Sequence, residues 1–139
     1  MSGGAVVGRP TSRRRLVAVC GIVVTVAAGM LVHFVLPDTA GSDIAGDVLY
    51  VVAVYLFIAV CAPRWHPLWI GVLTAVWCIA VELFQLTGLP EAWGAVFWPI
   101  MLVLGTVFDP RDLLVYTAAA VGLVVLDLAA RRVAAVRSR

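Results

Sequence analysis

Seven polar side chains lie within or beside apolar segments of this sequence and form its candidate binding site. Carboxylates and amides hold cations or hydroxyl-rich head groups through charge-assisted hydrogen bonds. Glu82 is the clearest candidate, because an ionisable group inside an apolar segment is costly to keep there. Gln85 follows three residues later and shares its helical face. The predicted site consists of Asp43, Asp47, Glu82, Gln85, Asp109, Asp112 and Tyr116.

Several of these residues also have a purely structural interpretation. Asp47 and Asp112 stand where helices are expected to begin, and an acidic residue there caps free N–H groups. A buried Glu82 would alternatively join helices through Gln85, through a tyrosine hydroxyl or through Arg111, which is the candidate charge partner. The sequence alone leaves the structural and the functional interpretation of Glu82 open.

The sequence lacks the common catalytic and cofactor-binding motifs. It contains no nucleophile elbow, phosphate-binding loop, zinc-protease motif or dinucleotide fingerprint. A metal site built from His33, Asp43, Asp47 and Glu82 has no characteristic ligand spacing. We therefore predict no catalytic residue, no metal and no cofactor. An intramembrane enzyme with Glu82 and Asp112 as an acid–base pair ranks last among the functions considered.

The composition places these polar groups in a membrane protein. Of the 139 residues, 63% are hydrophobic and 13% charged, and the mean hydropathy is +1.07. A soluble domain is about half apolar and about a quarter charged, and a chain this short cannot bury so much apolar surface in one core. These numbers exclude a soluble globule, a disordered chain and a disulfide-stapled secreted domain. The arginines flank apolar runs, where they meet lipid head groups, so no nucleic-acid partner is expected.

Apolar segments of spanning length predict an all-α transmembrane bundle. The four predicted spans cover residues 16–36, 46–62, 68–87 and 113–130. The segment 94–108 reaches only about 22 Å as a helix, short of the roughly 30 Å hydrocarbon core. It also contains Pro99. We predict that it forms a short re-entrant or tilted helical segment; the alternative is a fifth span that begins at Glu91.

The arginines favour four crossings over five, because arginine beside a span favours the cytoplasm. With four crossings nine of the ten arginines lie inside and only Arg111 lies outside, whereas with five crossings six lie inside. The prediction is a single transmembrane domain at 16–130 between basic cytoplasmic segments at 1–15 and 131–139. The polar site then lies on the outer side. With five crossings, the residues of the polar site that follow residue 108 would lie on the cytoplasmic side instead.

Short motifs occur in an order typical of a known family. They are Gly46-Asp47-x-Leu49-Tyr50, Glu82-Leu83-Phe84-Gln85-Leu86, Leu104-Gly105-x-x-Phe108 and Asp112-Leu113-x-x-Tyr116. Their order over residues 38–127 resembles the bacterial membrane-protein family called domain of unknown function 2809. It is more distantly similar to the VanZ-like glycopeptide-resistance proteins. The resemblance implies an architecture and a candidate site but no reaction. The family often has an arginine shortly after Trp93; this chain lacks it, which makes Arg111 the substitute partner for Glu82.

Two other functions therefore agree better with the sequence than an enzyme does. In the first, a binding or transport-type protein uses the outer polar site to receive a cation or the head group of a lipid or cell-envelope precursor. In the second, the chain is a structural or accessory subunit of a larger membrane complex, and its polar groups only join helices. For either function we expect a multi-pass protein of the bacterial plasma membrane, with membrane lipids as neighbours and a cytoplasmic N-terminus.

Overall fold

The computed structural model describes residues 10–105 and 107–137, and the regular structure in these two ranges is helical. In chain order the helices are α1 (Pro10–Val35), α2 (Ala40–Cys61), α3 (Pro67–Gln85), α4 (Leu89–Val96), α5 (Met101–Leu104) and α6 (Pro110–Arg137). A 3₁₀ turn at Trp98–Ile100 joins α4 to α5. Arg9 and Arg139, which belong to the two predicted basic segments, lie outside the described residues.

Four of these helices are long and apolar enough to cross a membrane, which confirms the predicted fold class. They provide spans of 19 to 28 residues with mean hydropathies between 1.9 and 2.4. At 1.5 Å per residue the shortest reaches about 28 Å, close to the thickness of a hydrocarbon core. The fifth span considered as an alternative does not form, because the chain between α3 and α6 is broken into short pieces.

The helix α2 begins earlier than its apolar pattern predicts. Thr39 caps it in a reciprocal capping box: the Thr39 hydroxyl accepts the Ser42 N–H at 3.2 Å, and the Ser42 hydroxyl accepts the Thr39 N–H at 2.8 Å. Asp43 therefore lies in the first turn of α2. Asp47 lies two turns inside the helix, so the expectation that Asp47 caps its start is wrong.

The ends of α3 and α6 also differ from the predicted spans. The helix α3 ends at Gln85, so Glu82 lies in its last turn, about 4.5 Å from Gln85 by helix rise. At the start of α6 the carboxylate of Asp109 accepts the Arg111 N–H at 2.8 Å. This bond caps the helix in place of the one expected from Asp112, which does lie in the first turn. The far end of α6 continues through the predicted basic tail to Arg137.

The helices α2, α3 and α6 pack against one another, α1 packs along α2, and α4 and α5 cover one end of α3. Two buried clusters fill the spaces between them. The first consists of Ala18, Tyr55, Ala59 and Ile70, and the second of Val51, Cys78, Tyr116 and Ala120. Close approach of α3 to α6 depends on Gly71, because a Cβ there would overlap the side chain of Val124.

The remaining surface of the long helices is apolar. At most 39% of the most apolar 18-residue window of any spanning helix is buried inside the protein, and residues such as Val24, Phe57 and Leu126 are exposed. Soluble monomers do not expose apolar surface on this scale. The long helices therefore fit a lipid environment, and the small protein core serves to hold them in place.

Charged residues collect at the two opposite ends of the bundle. The acidic end holds seven acidic residues and one arginine, namely Asp38, Asp43, Asp47, Glu82, Glu91, Asp109, Asp112 and Arg111. The arginine end holds one acidic residue and the other described arginines, namely Asp127, Arg13, Arg14, Arg15, Arg64, Arg131, Arg132 and Arg137. An even number of crossings brings both ends of the described chain to the arginine end.

Candidate functional site

Glu82 is fully enclosed at the acidic end, with 0% of its surface exposed. One carboxylate oxygen, Oε1, accepts the backbone N–H of Asp109 at 2.6 Å. The other, Oε2, accepts the Tyr116 hydroxyl at 3.5 Å. Asp109 directly precedes α6 and Tyr116 lies in its second turn, so the glutamate joins α3 to that helix. The cost of burying a carboxylate is offset by a backbone amide and a tyrosine.

Arg111 lies among three other carboxylates and therefore does not take the expected role as partner of Glu82. Its guanidinium nitrogens lie 3.8 Å from Asp43 Oδ2, 3.5 Å from Asp109 Oδ2 and 3.7 Å from Asp112 Oδ1. These contacts are ion pairs without hydrogen-bond geometry, and the side chain of Arg111 is 40% exposed. The single guanidinium of Arg111 therefore forms long ion pairs with three carboxylates.

Asp47 and Asp112 bring two carboxyl groups together between α2 and α6, where they interact directly. Asp47 Oδ2 and Asp112 Oδ1 are both buried, and neither has a hydrogen-bond partner among the described residues. The side chain of Asp112 is only 15% exposed. Two ionised carboxylates repel each other and cannot hydrogen-bond to each other, so the pair requires either one protonated member that donates to the other or an added donor or cation. Leaving buried acceptors without donors is costly, so this position suits an added hydrogen-bond donor or cation.

Gln85 fixes the chain that follows α5. Its Nε2 donates to the carbonyl oxygen of Leu104 at 2.8 Å. Gly105 has φ of +63° and packs against the Gln85 amide so closely that a Cβ would overlap it. Gln85 Oε1 is buried without a hydrogen-bond partner among the described residues. The Gln85 side-chain amide therefore fixes the position of the loop that leads from α5 into α6.

Tyr50 and Trp77 also belong to this region, although they lie outside the predicted site. The Tyr50 hydroxyl donates to the carbonyl oxygen of Val103 at 2.7 Å and accepts the Trp77 indole N–H at 3.0 Å. The ring of Tyr50 lies 6.2 Å from that of Tyr116. The sequence could have predicted that Tyr50 lies beside the site, because Tyr50 stands three residues after Asp47 on the same face of α2.

The structure thus brings the predicted residues together at one end of the bundle. We use the name acidic cluster for the five carboxyl groups and the arginine among them, namely Asp43, Asp47, Glu82, Asp109, Asp112 and Arg111. Tyr116 donates into the cluster, and Gln85 at the end of α3 binds the carbonyl oxygen of Leu104 beside it. With five carboxyl groups to one guanidinium, the cluster attracts positive charge.

A shallow cavity opens beside the acidic cluster, between α1 and α2. Its volume is about 140 Å³, and Asp43 contributes to its wall. Water occupies about 30 Å³ per molecule in the liquid, so the cavity holds a group of a few atoms. His33 and Asp38 also line it. Within the described part of the chain, no group of three or more His, Cys, Asp or Glu side chains is arranged to hold a metal ion.

Comparison with known proteins finds one family. The model of the family described as "Protein of unknown function (DUF2809)" matches residues 36–120. That range contains every residue of the acidic cluster, with Gln85 and Tyr116. No curated protein and no solved structure matches the chain. The more distant similarity to VanZ-like proteins is not tested by these comparisons and stays a prediction.

Proposed function

Because this chain belongs to the DUF2809 family of unknown function, we propose its role from the geometry of the acidic cluster. The proposal is a small membrane-embedded binding protein whose acidic cluster receives a positively charged group. The observation that supports it is the pair of buried oxygens, Asp47 Oδ2 and Asp112 Oδ1, which have no hydrogen-bond donor among the described residues.

The ligand chemistry follows from what the acidic cluster lacks. A metal cation or a protonated amine would supply the missing positive charge, and an amine would also donate hydrogen bonds to both buried oxygens. Such bonds are stronger in a partly desolvated site than in water. The long ion pairs of Arg111 supply only part of this charge. An amine of this kind occurs in the head group of a lipid or of a cell-envelope precursor.

The position of the acidic cluster suits a ligand held at the membrane surface. The cluster lies where α2 and α6 begin and α3 ends, which is the depth of the lipid head groups in a spanning bundle. The arginines at the other end favour the cytoplasm. We therefore propose that the acidic cluster faces outward in a plasma membrane.

The test uses the purified full chain in phosphatidylcholine nanodiscs. One arm titrates Ca²⁺ and Mg²⁺, and a second replaces part of the phosphatidylcholine with phosphatidylethanolamine of the same acyl chains. The amine of phosphatidylethanolamine donates hydrogen bonds, whereas the trimethylated choline cannot. Binding is measured as a rise in the melting temperature and by native mass spectrometry. Asp47→Asn and Asp112→Asn are compared with Glu91→Gln, an exposed acid at the same end.

We expect one arm to stabilise the wild type, and we expect either asparagine variant to weaken that binding about tenfold, since each removes one charged acceptor. Glu91→Gln should bind as the wild type does. Stabilisation by the cations alone would identify an ion as the ligand, and stabilisation by phosphatidylethanolamine alone would identify an amine head group. If neither probe binds, or if all three variants behave alike, the proposal is wrong.

A further inference from the structure

In the described part of the chain, the arginine end carries more positive than negative charge. Within the described residues it has seven arginines and one acidic side chain, Asp127. That carboxylate is already shared: it lies 2.8 Å from Arg14 and 3.1 Å from Arg131, and it accepts the Tyr55 hydroxyl at 3.0 Å. A surplus of positive charge therefore remains where the spanning helices end.

The two arginines that bind Asp127 also hold the turn between α2 and α3. Arg14 donates to the carbonyl oxygen of Pro63, and Arg131 Nη2 donates to that of Trp65 at 2.9 Å. The ring of His66 then caps the first turn of α3. The turn is thus fixed by α1 and α6, so the side chains it presents are held in a defined arrangement.

This turn carries a shallow, open cavity of about 340 Å³ lined by Trp65, His66 and Trp69. Of the two tryptophans, Trp65 is 49% exposed and Trp69 is 64% exposed. Tryptophan prefers the level at which acyl chains meet head groups. Arg64 lies in the same turn with an exposed side chain. The cavity therefore combines an aromatic wall with nearby positive charge at the membrane surface.

We propose that this cavity binds the head group of an anionic phospholipid from the surrounding bilayer. Guanidinium groups bind phosphate oxygens in a planar, two-pronged geometry. Arg64 is exposed beside Trp65 in the same turn, and Arg131 donates to the carbonyl oxygen of Trp65. A zwitterionic head group would bring its own cation to an end that already has surplus positive charge. An anionic head group such as phosphoglycerol has no such cation. The proposal is independent of the ligand proposed for the acidic cluster.

Native mass spectrometry of the full chain in neutral detergent tests this proposal. Phosphatidylglycerol is titrated against phosphatidylcholine of the same acyl chains. We expect phosphatidylglycerol to be retained about tenfold more strongly, and Arg64→Gln to reduce its retention about fivefold. The matched control is Arg137→Gln, which removes the same charge about 9 Å further along α6 than Arg131; it should change retention less than twofold.

A second pair of variants tests the aromatic wall. Trp69→Leu should weaken phosphatidylglycerol retention, whereas Trp98→Leu, at the acidic end, should not. Equal losses with Arg64→Gln and Arg137→Gln would show a diffuse charge effect and overturn the site. Equal retention of the two lipids would overturn it as well. Excess inorganic phosphate is expected to leave the lipid bound; displacement would assign the cavity to a soluble anion and contradict the lipid proposal.

Discussion

At the scale of single residues, the acidic cluster depends on bonds between side chains and backbone. Glu82 was predictable as a special position, because a carboxylate in an apolar segment requires an explanation. Its main partner was not, since the donor is the backbone N–H of Asp109 and a sequence does not show where a backbone amide points. The same reason hid the bond from Gln85 to the carbonyl oxygen of Leu104. The expected pairing of Glu82 with Arg111 was wrong, because the guanidinium lies beside Asp43, Asp109 and Asp112 instead.

Two substitutions of Glu82 separate its hydrogen bonding from its charge. Glu82→Gln keeps the shape and one oxygen acceptor for the Asp109 N–H. Glu82→Ala leaves that buried N–H without a partner, which costs about 1–3 kcal/mol. We expect the alanine variant to unfold with a free energy lower by about this amount and the glutamine variant to stay nearer the wild type. Reversible unfolding in mixed micelles measures both, and equal stability of all three proteins would contradict the structural role.

At the scale of helices, the lengths of the apolar segments predicted the four spans. Hydrogen bonds at the helix termini determine where the helices begin and end. The early start of α2 comes from Thr39 and Ser42, a capping box with serine in place of the usual glutamate or glutamine. The break between α3 and α6 was foreseeable from Pro99. Its detail was not, because the turn at Gly105 depends on a positive φ and on the Gln85 amide. The helix α6 extends to Arg137 because alanine and arginine favour helix beyond the apolar span.

The contact between α3 and α6 supplies a test of helix packing with an internal control. Gly71→Ala would place a methyl group against the Val124 side chain, and overpacking of this kind costs about 1–3 kcal/mol. Gly122→Ala adds the same methyl on α6, where no described atom lies within 4 Å. We expect Gly71→Ala to lower the melting temperature and Gly122→Ala to leave it unchanged or higher. A loss of the same size in both variants would contradict the packing role of Gly71, because alanine favours helix at both positions and does not by itself lower stability.

At the scale of the whole molecule, charge separates into two ends with different roles. The acidic cluster joins α2, α3 and α6 at one end, and Asp127 joins α1, α2 and α6 at the other. The sequence predicted these two ends correctly from the four expected spans, because an even number of spans between two loops places both loops on the same side of the membrane. Both proposed binding sites follow from this polarity, one for a positively charged group and the other for an anionic phospholipid.

Cysteine labelling tests the proposed orientation of the whole molecule. Val107→Cys lies in the exposed loop before α6, and Arg64→Cys lies in the turn at the arginine end. The exposed Cys20 and Cys61 are replaced by alanine, while the buried Cys78 stays as an unlabelled internal control. In intact cells a membrane-impermeant maleimide should label the cysteine at 107 and should reach the cysteine at 64 only after the cells are opened. Labelling of both positions from one side would contradict the alternating crossings, and the reverse pattern would place the acidic cluster in the cytoplasm.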